Sequence, residues 1–322
     1  MLGFVDMLLL IGSLAVSLAI FVPLTGALVR FRAHYNPKGL QLDTEGDVQP
    51  HTGPVVTSFF AMLKRVYRIE VWPGLYKGLM PSLVSTTIVT LFLIIFLSES
   101  NLRHGRYSTP STGVLGMLSY SIFAMLISLP QTIITDRAIT TPHKLPYFDP
   151  IYSLRILLTP TERGRPWILY LTPGLLAAQV SHIAYVVLGL RTVRQFLLPE
   201  LANPGLPDRS DISMVKLAIF FVLALGSTVV LAPLEVIAIR LAIQRNHAAP
   251  EFNSISQEEE GDAEEATEYA GVDEDVIGLR TEREPYIGLV DCAKRIIDEE
   301  GWSALYRAWW LTMLGCLSGA FS

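Results

Sequence analysis

Charge is scarce in this chain, and cysteine scarcer. Only 17% of its 322 residues are Asp, Glu, Lys or Arg, and the two cysteines are Cys292 and Cys316. That pair has no metal-ligand spacing and implies no disulfide framework, so both are expected as unpaired thiols. There is no nucleophile–base pair, phosphate-binding glycine loop or metal cluster. An enzyme, a cofactor and a metal site are therefore without support, and no nucleic-acid partner is expected.

What the chain has instead is apolar length. Hydrophobic residues make up 51% of it, too many for an ordinary soluble domain. Long apolar runs lie at roughly 5–30, 79–98, 113–135, 168–190 and 214–239, with a shorter one at about 308–322. A helix crosses a hydrocarbon core in about 20 residues, so the first five suffice and a lipid bilayer is the expected partner. The sixth offers only about 22 Å of helix; it crosses incompletely, or the chain lacks its natural end. The first run has no basic segment before it and is too long for a signal peptide, so an uncleaved span is expected.

The net charge of −5 hides two opposite parts. Ten acids and no base lie between Glu258 and Asp275, leaving 20 acids against 25 bases elsewhere. The acidic stretch reads as a solvated, disordered insertion at 251–278, able to recruit a protein partner. It lacks the glycine and ligand spacing of a calcium loop. Of the 25 bases, 19 fall in the long connections at about 30–78, 136–166 and 240–307. These three connections therefore share the positive-inside face, and both termini lie opposite.

Three helix pairs, each joined by a long basic connection, call for a repeat search. PLTGALVR (23–30), PQTIITDR (130–137) and PLEVIAIR (233–240) align on Pro23, Pro130 and Pro233, spaced by 107 and 103 residues. Each has an arginine seven residues on: Arg30, Arg137 and Arg240. Downstream, IEVWPGLYKGLMPSL (69–83) matches EEGWSALYRAWWLTML (299–314). That places Glu70 on Glu300, Tyr76 on Tyr306 and Lys77 on Arg307. The middle copy, TERGRPWILYLTPGLL (161–176), is weaker; it keeps Glu162, and its Pro173 is set on Pro81.

This pattern resembles the mitochondrial carrier family, whose signature reads P-x-[DE]-x-x-[KR]-x-[KR] and then [DE]-G-x4-[aromatic]-[KR]-G. The resemblance implies an all-α membrane protein. Six spans form a bundle of three pseudo-repeats, with proline-kinked odd-numbered helices and a short matrix-side helix in each repeat. The repeats are placed at 1–100, 113–196 and 210–322. The resemblance also implies a mitochondrial membrane, the inner one by family default, and pairs Arg30 with Glu70, Arg137 with Glu162 and Arg240 with Glu300. The bland alternative for these arginines is interfacial snorkelling to water.

The chain departs from the family where transporting members carry their gate. The acid positions hold Thr25, Thr132 and Glu235, and the base positions Leu28, Thr135 and Ala238. A ring of ion pairs cannot form. The three threonine hydroxyls are left to bond across helices, and Glu235 either reaches an arginine or is neutralised by burial. After the second span Glu99 and Arg103 remain, but LGLRTVRQF after the fourth has no acid.

Counting four residues past the family's proline position gives the candidate solute contacts Ser85, Ala177, Ala178 and Gly315, none charged. His182 is the one ionisable residue in mid-span, with Gln179 and Ser181 beside it; it is a functional candidate by its depth alone. Two readings stay open. The first is a transporter of an uncharged or unidentified solute by alternating access. The second is a non-transporting carrier-fold protein of the outer membrane, acting in fusion, scaffolding or protein insertion.

Overall fold

In a computed structural model of the chain, the described residues are 4–38, 41–42, 48–49, 56–84, 87, 114–147, 149–198, 213–246, 275–280 and 284–318. Ser85, Glu99, Arg103 and the acidic run up to residue 274 lie outside them. The fold is all-helical, as the resemblance implies. Two strands of two residues each, Gln41–Leu42 and Val48–Gln49, pair antiparallel in the first long connection and leave that class unchanged.

Among the described residues, four helices are long and apolar enough to cross a membrane. We label them α1 (Phe4–Ala33), α3 (Val114–Thr140), α6 (Leu175–Leu197) and α7 (Met214–Ile243). Their periodicity is weak because they are apolar on every side, as lipid-facing helices are. On α7, Val215, Ile219, Val222, Val229 and Val230 face outward, while Phe220, Ala224, Leu231 and Val236 pack inside. Residues 79–84 begin the second span, and α10 (Trp309–Ser318) is the described part of the sixth.

Shorter helices lie at the foot of the bundle, on the basic face. They are α2 (Phe59–Leu75), α4 (Pro150–Leu157), α5 (Pro160–Gly164), α8 (Leu289–Glu299) and α9 (Trp302–Leu305). Helix α8 is strongly amphipathic: Cys292 and Ile296 are buried, while Asp291 and Arg295 pair on its outer face. Trp72, Trp167 and Trp302 stand exposed at this level, a position that suits an amphipathic ring at a membrane–water interface.

Pro23, Pro130 and Pro233 sit inside α1, α3 and α7. Proline has no N–H, so the carbonyl four residues earlier loses its helical donor. In each repeat a tyrosine supplies the replacement. Tyr76 donates to Ala19 O (3.2 Å), Tyr170 to Leu126 O (3.0 Å) and Tyr306 to Val229 O (3.2 Å).

A left-handed residue precedes each even-numbered span: Gly78 (φ 87°), Gly174 (φ 81°) and Ala308 (φ 56°). This corrects the register of the middle repeat. Gly174 stands with Gly78, so Pro173 falls where Lys77 does and not at Pro81. The middle connection is longer between its acid and its span, with a short 3₁₀ turn at Pro166–Leu171 taking up the extra residues.

The residue after each outer repeat's acid is also left-handed: Gly301 at φ 91° and Val71 at φ 55°. A β-branched side chain there stores on the order of 1–3 kcal/mol of strain. Val71 is half exposed and loses little packing on truncation. Val71→Gly is therefore expected to stabilise the protein by about 1 kcal/mol, read as a raised midpoint of thermal unfolding in detergent. A lowered midpoint would contradict the strain.

The acidic insertion ends earlier than its composition implies. Val276 and Ile277 are buried against Ala27, Phe31, Met62 and Val66. Tyr35 N–H donates to Gly278 O (2.8 Å), and Arg65 donates to Val276 O and Asp275 O (both 3.0 Å). Residues 275–278 thus belong to the packed foot, because two apolar side chains there find the ends of α1 and α2.

Candidate functional site: the helix feet and the charged cluster

The three expected ion pairs all form. Arg30 Nη2 lies 2.5 Å from Glu70, Arg137 Nη1 lies 2.6 Å from Glu162, and Arg240 pairs with Glu300 through both terminal nitrogens. Every one of the six side chains is buried, so the snorkelling alternative fails. Burial alone pushes a carboxyl up, but the arginine opposite outweighs it and holds Glu162 and Glu300 below the ordinary carboxylate range.

Each pair also reaches into the next repeat. Arg30 Nε donates to Ile139 O at the foot of α3 (2.8 Å). Arg137 Nε donates to Ala242 O at the foot of α7 (3.3 Å), and Arg240 Nε to Arg32 O at the foot of α1 (3.2 Å). In all three cases the acceptor lies two residues past that helix's own arginine. A further carbonyl two residues on is bonded as well: Thr141 O by Lys77, Gln244 O by Arg137 and His34 O by Arg240. The result is a closed ring in which each arginine caps the orphan carbonyls of the next odd-numbered helix.

The pairs differ in what else holds the carboxylate. Glu70 also binds Lys77, and Glu300 also binds Arg307 (2.9 Å). Burial pushes the Lys77 ammonium down to about 8 and the Arg307 guanidinium down to about 10. Glu162 has no second cation among the described residues. It accepts instead from the backbone N–H groups of Thr159 (3.1 Å) and Asn246 (3.0 Å) and closes a capping box with Thr159. The sequence TPTE at 159–162 carries that signal.

Above the ring lies a second cluster. Glu235 Oε2 is 2.5 Å from Arg32 Nη2 and accepts from the Thr312 hydroxyl at 2.6 Å. Arg32 Nη2 also donates to Thr312 Oγ1 (2.9 Å), and His182 Nε2 is 3.4 Å from Glu235 Oε1. So Glu235 does reach an arginine, though at none of the three family base positions. Arg32 lies one helical turn beyond Leu28 on the same face of α1, and that spacing is the signal by which it could have been found. The cluster joins all three repeats: Arg32 comes from the first, His182 from the second, and Glu235 and Thr312 from the third.

The threonines behave otherwise than expected. Thr25 and Thr132 donate back to Phe21 O (2.7 Å) and Ser128 O (3.1 Å) of their own helices, and Thr135 Oγ1 has no partner among the described residues. A hydroxyl reaches the carbonyl one turn back on its own helix, sharing it with the helical N–H, before it reaches another helix. Of the candidate contacts, Ala178 is buried in the core and Ala177 and Gly315 are exposed. Counted from Gly174, the place of Ser85 and Gly315 falls on Ser181, one turn past Ala177 and next to His182.

Residues 214–321, the third repeat, match the family model described as mitochondrial carrier protein. The third repeat is thereby similar to a mitochondrial carrier domain, which supports the family resemblance of the chain. The match spans both the Pro233–Arg240 segment and the Glu300–Arg307 segment, whose geometry the first repeat reproduces pair for pair. No curated protein matches the chain. The match and the apolar helices support a carrier-like, multi-pass protein of a mitochondrial membrane.

Proposed function

We propose that this carrier moves a small solute across the inner mitochondrial membrane by alternating access, and that its basic face is closed here. The observation that carries the reading is the Arg32–Glu235–His182–Thr312 cluster. Charges at membrane depth are expensive, and they persist where they serve a pathway. This cluster is half open toward the space between the spans: Glu235 is 26% and His182 30% exposed by side chain, while Arg32 is 5%. Beneath it, the arginine–carbonyl ring takes the place of the missing gate of ion pairs. Opening the basic face then means separating each arginine from the foot of the next helix.

One observation favours the other reading, a non-transporting scaffold of the outer membrane. Residues 275–280 fasten the third repeat's connection onto α1 and α2, and Arg280 holds Glu299 at 3.0 Å. An opening movement has to break these links too. The two readings place the acidic insertion in different compartments, and limited proteolysis separates them. In intact mitochondria, and again after outer-membrane rupture, residues 251–274 are expected to resist protease; cleavage should begin only when the inner membrane is opened. Cleavage in intact organelles would put the insertion in the cytosol and replace the carrier with the scaffold.

A further inference from the structure

We propose that the Arg32–Glu235 cluster is the recognition site for a zwitterionic solute, one carrying a carboxylate and an ammonium a few ångströms apart, as an α-amino acid does. The inference rests on the transport reading above and deepens it.

The first step concerns charge balance. The cluster itself presents one fixed cation, Arg32, and one fixed anion, Glu235, bound to each other at 2.5 Å. Separating such a pair leaves two uncompensated charges out of water, which is strongly unfavourable. A solute with a carboxylate alone compensates Arg32 and strands Glu235. A solute with an ammonium alone does the reverse. A neutral solute compensates neither. A zwitterion compensates both, so the pair is exchanged for two others with no charge left unmatched.

The second step concerns the guanidinium itself. Glu235 approaches Arg32 at Nη2, and among the described residues the buried Nε has no hydrogen-bond partner. Nε and Nη2 form one edge of the guanidinium, the edge that takes a carboxylate with two parallel bonds. Glu235 is kept from that grip because its other oxygen is turned toward His182. A carboxylate free of the chain takes the whole edge and satisfies the orphan donor, a group that is costly to leave unbonded. Thr312 Oγ1, already 2.9 Å from Nη2, stands beside the same edge. The displaced Glu235 carboxylate keeps His182 and gains the solute's ammonium.

The third step concerns reach. The cluster draws on α1, α6, α7 and α10, so one small molecule bound there touches all three repeats. Breaking Arg32 from Glu235 also releases a charged link between the first and third repeats. Binding and the loosening of α1 from α7 are therefore the same event.

The test uses the detergent-purified full chain and its thermal unfolding, since a ligand that binds the folded state raises the midpoint. Three solute pools are compared: the common neutral α-amino acids, the matching α-hydroxy acids and the matching α-amino amides. The amino-acid pool is expected to raise the midpoint by about 5 °C at saturation, and the other pools by much less. The double variant Arg32→Gln/Glu235→Gln, which keeps the site neutral and so able to fold, is expected to lose the response. A response to hydroxy acids or amides equal to that of amino acids overturns the zwitterion while leaving a solute carrier standing. An equal response in the double variant overturns the site. Silence toward all three pools overturns the proposal, and the protease experiment then decides the transport reading on its own.

Discussion

Arg137→Gln is expected to destabilise the protein more than Arg30→Gln or Arg240→Gln, although the three arginines hold equivalent places. The reason lies in what remains behind. Glu162 is fully buried, and Arg137 is its one cationic partner among the described residues. Removing that cation leaves a carboxylate held by two backbone N–H groups, a loss of about 3–5 kcal/mol for a buried pair broken on one side. Leu157 O, Ala242 O and Gln244 O lose the arginine's donors at the same time. In the outer repeats a second cation stays in place. Arg307 still binds Glu300 at 2.9 Å, and Lys77 still binds Glu70. Lys77 even gains, since burial first and then the neighbouring Arg30 charge disfavour its ammonium, and Arg30→Gln removes the second of these. Their loss is then nearer that of hydrogen bonds to a charged group, about 1.5–3 kcal/mol. Thermal unfolding of the three variants in one detergent gives the order directly. Equal losses, or Arg240→Gln as the worst, would show that the second cations do not share the load.

The sequence and the structure agree best where a charge stands alone. In a chain this apolar, Arg30, Arg137 and Arg240 and their acids are conspicuous, and the repeat spacing pairs them before any coordinates exist. What the same residues do to the next repeat was not legible. Ile139 O, Ala242 O and Arg32 O are backbone acceptors, and a carbonyl carries no residue identity for a pattern to find. The tyrosines are an intermediate case. Tyr76 and Tyr306 align openly, but Tyr170 hides behind the longer middle connection, where matching Pro173 to Pro81 shifts the register.

Arg32 and Thr312 were missed for a different reason. They lie off the signature positions, so a search for the signature passes over them. Physical spacing does not: Arg32 is one turn beyond the empty base position at Leu28. A basic side chain thus stands on α1, one turn past the position where the family carries its own, and meets Glu235 there. Glu235, left by the sequence either to reach an arginine or to be neutralised by burial, is bound in the structure by Arg32, Thr312 and His182. The threonines show the opposite error. They stand at gate positions, yet two of them bond to their own helices, because a carbonyl one turn back is always nearer than a neighbouring span.

Gly174→Ala carries the second large expected effect, and it tests the corrected register. Gly174, Gly78 and Ala308 share the left-handed turn that opens each even-numbered span. Were backbone strain all that mattered, alanine would cost about 1–2 kcal/mol at either glycine, and Ala308 shows that a methyl group can be carried there. The surroundings differ, however. A methyl group on Gly78 would meet side-chain atoms of Ile139 at 2.9 Å and Thr135 at 3.3 Å. On Gly174 it would overlap the Leu289 backbone nitrogen and lie 2.6 Å from the Gly288 carbonyl carbon. A side chain can turn aside, but backbone at the start of α8 cannot move without carrying Cys292 and Ile296 out of the core they share with Leu175 and Ala178. Overpacking of that kind adds about 1–3 kcal/mol to the strain. Gly174→Ala is therefore expected to lose about 3–4 kcal/mol and Gly78→Ala about half as much. The site also joins the second repeat to the third, so the damage should spread. Maleimide labelling of Cys292, fully buried in the intact protein, should quicken in Gly174→Ala and stay slow in Gly78→Ala. Similar melting points and equally slow labelling in both variants would mean that Gly174 does not hold α8 against the fourth span.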